Sequence, residues 1–239
     1  MAGKLIKIVL LSTILIMGMQ LTNSFSDLSN GERNIYYSGY NEDLFVRYVD
    51  VPMIAVHLEP NAGILGRVRI GLIENGKGKI IFDDRAVIDE STIEGIISSV
   101  EFAEEFTKVK KYDYFITYDL LTESVSGHSS GAGIAIGLVA LLNDVSLKEK
   151  VIITGGIDKT GELKETGGIW LKSYTAAEQG IDTLYVPVGQ SKLTYYVDKG
   201  GYYLSQELDL NEQWKDNGLK VIEVRNIKEI ISEILEKPA

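Results

Sequence analysis

The stretch SGHSSGAGIAIGLVALL, Ser126 to Leu142, sets a glycine- and serine-rich loop against a run with no charge and hardly a polar atom. A surface helix shows one apolar stripe, whereas a helix that is apolar all round is buried all round. The run therefore predicts a central helix inside a layered α/β domain, and the loop predicts a site at that helix's N-terminus. Unsatisfied N–H groups and the helix dipole favour negative charge there. Two chemistries use such a loop: holding a phosphate, or presenting a serine nucleophile beside backbone N–H groups that stabilise an oxyanion. A third use is plain capping, with Ser126 or Ser129 satisfying orphan N–H groups.

The neighbouring segments fit an α/β reading. YDYFITYDL (Tyr112 to Leu120) predicts a strand leading into the loop, and ESTIEGIISSVEFAEEF (Glu90 to Phe106) has Ile93, Ile96, Ile97, Val100 and Ala103 at helical spacing. MIAVHLEP (Met53 to Pro60) and GRVRIGLIENGKGKIIF (Gly66 to Phe82) alternate apolar and polar residues, and Asn75-Gly76 predicts a hairpin turn. GLIENGKG within that second stretch copies the spacing of a phosphate-binding P-loop. Gly78 stands where a Ser or Thr must hold magnesium, and no helix pattern follows, so the hairpin reading prevails. After the apolar helix come a strand VIITG (Val151 to Gly155), a helix from Ile169 to Gln179 stopped by Gly180, and a strand TLYVPV (Thr183 to Val188). A strand at Val221 to Val224 and a helix from Ile227 to Glu236 close the chain.

Composition narrows the chemistry. The formal net charge of −10, with no basic cluster, excludes general affinity for nucleic acid or anionic headgroups. The absence of cysteine excludes a thiolate nucleophile and a cysteine zinc site, and His57 and His128, the only histidines, cannot build a histidine metal cage. No metal or cofactor is expected. A nucleophile must then be Ser, Thr or Lys, and a serine needs a base. His128 adjoins Ser129 and should point away from it, while His57 sits in the middle of a strand. Lysine is left. Lys172, flanked by Ile169, Trp170 and Leu171, is the lysine with the most apolar bed. Lowering its pKa by some 3 units would cost roughly 4 kcal/mol, which only an apolar site sustains. A solvated lysine on a helix surface is the other reading of the same residues.

At the N-terminus Lys4 and Lys7 precede IVLLSTILIMGMQL (Ile8 to Leu21), and no further charge appears until Asp27. This layout predicts a signal peptide or membrane anchor over residues 1–26, a polar linker over 27–43, and a folded domain over 44–239. Lysines before the run and acidic residues after it place the domain outside the cytoplasm, membrane-anchored or secreted.

From about Pro52 onward the chain resembles the proteolytic domain of Lon-type peptidases, a Ser-Lys peptidase family of ribosomal protein S5 domain 2-like fold, with mixed sheets and packed helices. GHSSG, Gly127 to Gly131, is similar to the family's Gly-Pro-Ser-Ala-Gly signature; ITGGI, Ile153 to Ile157, to its Thr-Gly-Glu-Ile strand end; and GELKETGGIWLK, Gly161 to Lys172, to the segment ending in its catalytic lysine. Lys172 follows Ser129 by 43 positions, the family's usual spacing. The resemblance implies Ser129 as nucleophile, Lys172 as base and Thr154 as the lysine's orienting partner, with Ser130, Gly127 and Gly131 in support. It also implies a peptide or unfolded-protein substrate and a six-membered homo-oligomeric ring. The resemblance is to small membrane-targeted archaeal members without the ATPase module, and because little ATP lies outside the cytoplasm, ATP-independent cleavage is expected. The sequence departs from the family pattern at His128 (for proline), Ser126 (for aspartate) and Gly156 (for glutamate). Two rivals stay open: a GHMP-type small-molecule kinase holding phosphate in the loop, and a degenerate domain that binds peptides without cutting them.

Overall fold

Strand pairing divides the chain into two layers that meet at the loop. The structure, a computed structural model, describes residues 34–39, 41–58, 61–83, 87–120 and 124–236. The expected signal or anchor over residues 1–26 lies outside them, and among the described residues no helix is long and apolar enough to cross a membrane.

The first layer contains β1 (Ile35–Ser38), β2 (Arg47–Leu58), β3 (Asn61–Ile73), β4 (Ile80–Asp83), the short β5 (Val87–Ile88), helix α1 (Glu90–Thr107), β6 (Asp113–Asp119) and the short β7 (Ser124–Val125). The sheet runs β1-β4-β6-β3-β2. Helix α1 starts where expected because the Asp89 carboxylate accepts from Thr92 N at 2.9 Å, an N-cap. Helix α2 (Gly131–Asn143) is buried from Gly131 to Leu142, as the charge-free run requires. It lies so close to β2 that a Cβ on Gly137 would overlap Val51.

The second layer follows with β8 (Val151–Ile153), the short pair β9 (Gly156–Ile157) and β10 (Leu163–Lys164), helix α3 (Ile169–Glu178) and β11 (Thr183–Pro187). It ends with β12 (Lys192–Asp198), β13 (Tyr203–Asp209), α4 (Leu210–Trp214), β14 (Lys220–Val224) and a last turn, α5 (Ile231–Ile234). Strands β14, β11 and β8 form a parallel sheet in that order. Its faces alternate strictly. Ile153, Tyr185 and Val224 join the core around α1 and α2, whereas Ile152, Leu184, Val186 and Val221 join a second core with Ile169 and Trp214. A parallel sheet covered on both faces accounts for the near-continuous apolar runs read in the sequence.

Three expectations need correcting, and one ribbon was not expected. The hairpin at Asn75-Gly76 does not form, because β6 lies between β3 and β4, antiparallel to one and parallel to the other. The turn is claimed by the start of β6: Asp113 Oδ1 accepts from Lys77 N at 2.7 Å and Lys79 N at 2.9 Å, and Gly76 N donates to Lys111 O at 3.1 Å. A Cβ on Gly76 would overlap the backbone of Tyr112 and Asp113. The hairpin that does form joins β2 to β3, with Leu58 opposite Asn61. The stretch read as linker contains β1, hydrogen-bonded in parallel to β4. The closing helix is broken: a 3₁₀ turn over Ile227–Glu229, held by an Asn226 and Glu229 capping box, precedes the single turn α5. Strands β12 and β13 pair as an exposed ribbon that the sequence reading did not contain.

Candidate active site

The loop is held from both sides. Ser129 lies in a 3₁₀ turn, His128–Ser130, between β7 and α2. In front, Asp89 at the start of α1 accepts from Ser126 Oγ at 2.6 Å and Gly127 N at 3.4 Å. Burial opposes ionisation of Asp89, but hydrogen bonds from Ser126, Thr92 and Ser91 outweigh it and hold the carboxyl well below its ordinary range. Behind, Gly155 N donates to Ser129 O at 2.9 Å and Gly155 O accepts from Ala132 N at 3.1 Å. Gly155 manages both bonds at φ 147°, a conformation that side-chain-bearing residues rarely adopt.

These bonds decide between the uses of the loop. No serine side chain caps α2, since Ser126 is bonded to Asp89 and the Ala132 N–H is taken by Gly155 O. A phosphate at the start of α2 would lack the Ala132 N–H and would face the Asp89 carboxylate, which disfavours phosphate there. Ser129 is half-buried, and among the described residues its Oγ makes no hydrogen bond. Ser130 points elsewhere: it is buried, with Oγ 3.0 Å from the Tyr118 hydroxyl. Gly131 lies inside the contact between α1 and α2, its carbonyl accepting from Ser99 Oγ at 2.8 Å. Gly127 leaves open space on the loop's outer side.

The lysine arrives from the opposite face of the parallel sheet. A parallel crossover from β8 to β11 must start at the carboxyl end of β8, so the first turn of α3 returns close to Thr154. Gly168, at φ 69°, turns the chain into that helix, and a Cβ there would press on Val56 of β2. Lys172 is 2% exposed. Its Nζ donates to Thr154 Oγ1 and to Thr166 Oγ1, both at 2.9 Å. No carboxylate pairs with it among the described residues, and burial alone lowers its pKa from 10.5 to about 8. The solvated-lysine reading therefore fails. Thr154 Oγ1 also donates to Ser129 O at 3.3 Å, so one hydroxyl joins the lysine to the serine's own backbone.

Of the residues singled out in the sequence, Ser129, Thr154 and Lys172 come together, with Gly127 and Gly131 on either side and Ser130 turned away. Thr166, Gln190, Asp89 and Tyr118 were missed. Thr166 stands six positions before Lys172, where a buried amine in search of acceptors is a usable signal. Gln190, which accepts from Thr166 N at 3.1 Å and donates to Thr166 O at 2.9 Å, reaches in from the loop after β11 and leaves no local trace. The unusual residues also find their counterparts. Ser126 meets the Asp89 carboxylate, and Gly156 leaves the space into which the His128 ring packs.

A sequence profile described as the Lon protease (S16) C-terminal proteolytic domain matches residues 72–237. The archaeal Lon protease of Pyrococcus abyssi is 26% identical over 84 residues, 35% of this chain and 8% of the relative. The Lon protease of Clostridium acetobutylicum is 31% identical over 88 residues, 35% of this chain and 11% of the relative. That of Helicobacter pylori is 27% identical over 161 residues, 63% of this chain and 17% of the relative. This chain thus spans only a small part of the length of each. The match runs from β3 to the last turn and takes in the whole loop, Thr154 and α3: the chain belongs to the Lon protease C-terminal proteolytic domain family, whose members are serine-type peptidases.

Proposed function

We propose that this chain is a serine endopeptidase in which Ser129 Oγ is the nucleophile and Lys172 Nζ the general base. One observation carries the reading: a buried lysine with no carboxylate partner among the described residues, its Nζ bonded to two threonine hydroxyls, one of which reaches the carbonyl of Ser129. A neutral amine has two N–H bonds and one lone pair. With Thr154 and Thr166 accepting from both N–H bonds, the lone pair is the remaining valence and is free for a proton from Ser129. The Thr154 hydroxyl proton is directed to Ser129 O, so its own lone pair faces Nζ.

In acylation, Oγ attacks the scissile carbonyl while Nζ takes the serine proton. The same proton then passes to the leaving amine, and an acyl-serine remains. Water attacks the acyl group with Nζ again as base, releasing the acid and restoring Ser129. Backbone N–H groups of the turn stabilise the oxyanion, a contribution of about 3 to 4 kcal/mol in related chemistry. Peptides and loosely folded proteins are the substrates, and cleavage needs no ATP. The lysine-flanked run Ile8 to Leu21 supports a domain held outside the cytoplasm, where ATP is scarce.

The test is cleavage of unfolded casein and labelling by a fluorophosphonate, both without ATP. Hydrolysis and a label on Ser129 are expected. Casein binding without hydrolysis or label would leave a peptide-binding domain instead.

A further inference from the structure

His128 stands next to the nucleophile in sequence, yet the mechanism above gives it nothing to do. Its surroundings are specific. A Cβ built on Gly156 would overlap His128 Cδ2, and the next nearest atoms, at 3.0 and 3.2 Å, are Nε2 and Cγ of the same ring. The backbone of Gly156 is in a conformation open to any residue, so space for the imidazole is what the missing side chain provides. On the other side a Cβ on Gly95 of α1 would come 3.2 Å from His128 Cβ. The ring thus packs against Gly156, although His128 as a whole is exposed.

Nε2 of this ring lies 3.3 Å from the carbonyl oxygen of Glu165. That carbonyl belongs to the same peptide unit as Thr166 N, which donates to Gln190 Oε1. Both polar groups of one peptide are therefore held, the C=O by His128 and the N–H by Gln190. The following peptide is held as well, since Gln190 Nε2 donates to Thr166 O at 2.9 Å, and two held planes on either side of one Cα fix its φ and ψ and hence the direction of its Cα–Cβ bond. Here that bond carries Thr166 Oγ1, one of the two acceptors of Lys172 Nζ.

We propose that His128 is a positioning residue for the reaction: seated on Gly156, it donates from Nε2 to the Glu165 carbonyl and, with Gln190, sets the hydroxyl that orients Lys172. The 3₁₀ turn that carries the nucleophile thereby also sets the geometry of the base, so the two reactive groups shift together. This inference rests on the peptidase reading, and its test has a readout that does not require turnover.

The experiment uses the full chain in detergent micelles with four substitutions: His128→Phe, which keeps a ring and loses the donor; His128→Gln, which keeps a donor; Gly156→Ala, which fills the seat; and His128→Ala. Turnover of a fluorogenic peptide is measured alongside NMR titration of the Lys172 side chain, assigned by its loss in Lys172→Met. His128→Phe and Gly156→Ala should each lower kcat roughly ten- to a hundredfold with little change in KM, as expected of a misplaced base. Both should also move the Lys172 titration below its value near 8, because an acceptor of the ammonium is loosened. His128→Gln should retain most of the wild-type rate. In the His128→Ala background Gly156→Ala should add nothing, since the ring it displaces is already gone.

Wild-type kcat and an unmoved Lys172 titration in His128→Phe would overturn the proposal. So would an equal cost of Gly156→Ala in both backgrounds. If the wild-type chain cleaves nothing while the titration still responds to His128→Phe, the peptidase reading falls and the coupling stands. Should His128→Phe fail to fold, Gly156→Ala and His128→Gln decide the matter, because neither position has a backbone conformation that excludes the new residue.

Discussion

Thr166 Oγ1 lies 2.9 Å from Lys172 Nζ across the turn that opens α3, and together with Thr154 it takes two of the lysine's donors. The two hydroxyls stabilise the ammonium, while burial opposes it. Replacing either with valine should move the Lys172 titration downward from about 8 and cost about 1–3 kcal/mol of stability, the usual cost of leaving a buried polar group short of a partner. Thr154→Val should lower kcat more than Thr166→Val, since it also releases the bond to Ser129 O. Peptide turnover against pH, with urea midpoints for each variant, checks both statements.

The lysine's lowered pKa has a stability consequence of definite sign. Folded Lys172 titrates near 8 against an unfolded 10.5, so the folded state binds fewer protons between those values. The penalty for burying the amine, roughly 3 kcal/mol, is fully present below pH 8, fades as pH rises and is gone above 10.5. Lys172→Met should stabilise the fold near neutral pH, flatten that rise and abolish turnover. In the wild type, kcat/KM should climb with an apparent pKa near 8. Turnover by Lys172→Met at a tenth of the wild-type rate or more would remove the lysine from the mechanism.

The two adjacent serines should part cleanly. Ser129→Ala is expected to abolish hydrolysis and fluorophosphonate labelling with little effect on stability, because its Oγ bonds to nothing among the described residues. Ser130→Ala should keep the label but lose about 1–3 kcal/mol, since the buried Tyr118 hydroxyl loses its partner. Mass spectrometry of the labelled peptide locates the adduct, and thermal denaturation follows the stability.

Asp89 serves the loop and α1 at once. Asp89→Ala should cost about 0.5–2 kcal/mol as a lost N-cap. It should also lower kcat, because Ser126 and Gly127 lose their anchor. As its carboxyl is held below the ordinary value of 3.8, its stabilising contribution is present above that pH and is lost as pH falls further through the folded value. The stability gap between the wild type and Asp89→Ala should therefore begin to close only below about pH 4 and go on closing as pH falls towards the folded value.

The N-terminal run predicts an orientation. Protease added outside intact cells should digest the domain and spare residues before Ile8, whereas recovery of the full-length chain in the cytosol would contradict export.

Local chemistry made part of this protein legible. The charge-free run after the loop specifies a buried helix whatever surrounds it, and α2 is buried from Gly131 to Leu142. The period of Ile93, Ile96, Ile97 and Val100 locates α1 for a similar reason, since a helix shows its packing face in its own spacing. Asn75-Gly76 misled because its turn propensity is real: Asn75 does adopt φ 57°. The strand that accepts the turn's N–H groups, however, is β6, more than thirty residues away, and no local signal says which strand will arrive.

The site divides along the same line. The amino-acid sequence by itself determined the chemical inventory, with no thiol, no histidine expected to serve the serine as base and one lysine among apolar neighbours, because composition and local setting are properties of the chain. Only the tertiary structure decided that this lysine is buried, that two threonines on separate loops satisfy it, that Asp89 and Gln190 reach in from distant elements, and that the glycine at position 156 makes room for the ring of His128. Each of these is a contact between segments that are separate along the chain. A hydrogen bond of 2.9 Å depends on where two backbones are placed, and that placement is set by the β8–α3–β11 crossover and the packing of α2 on β2.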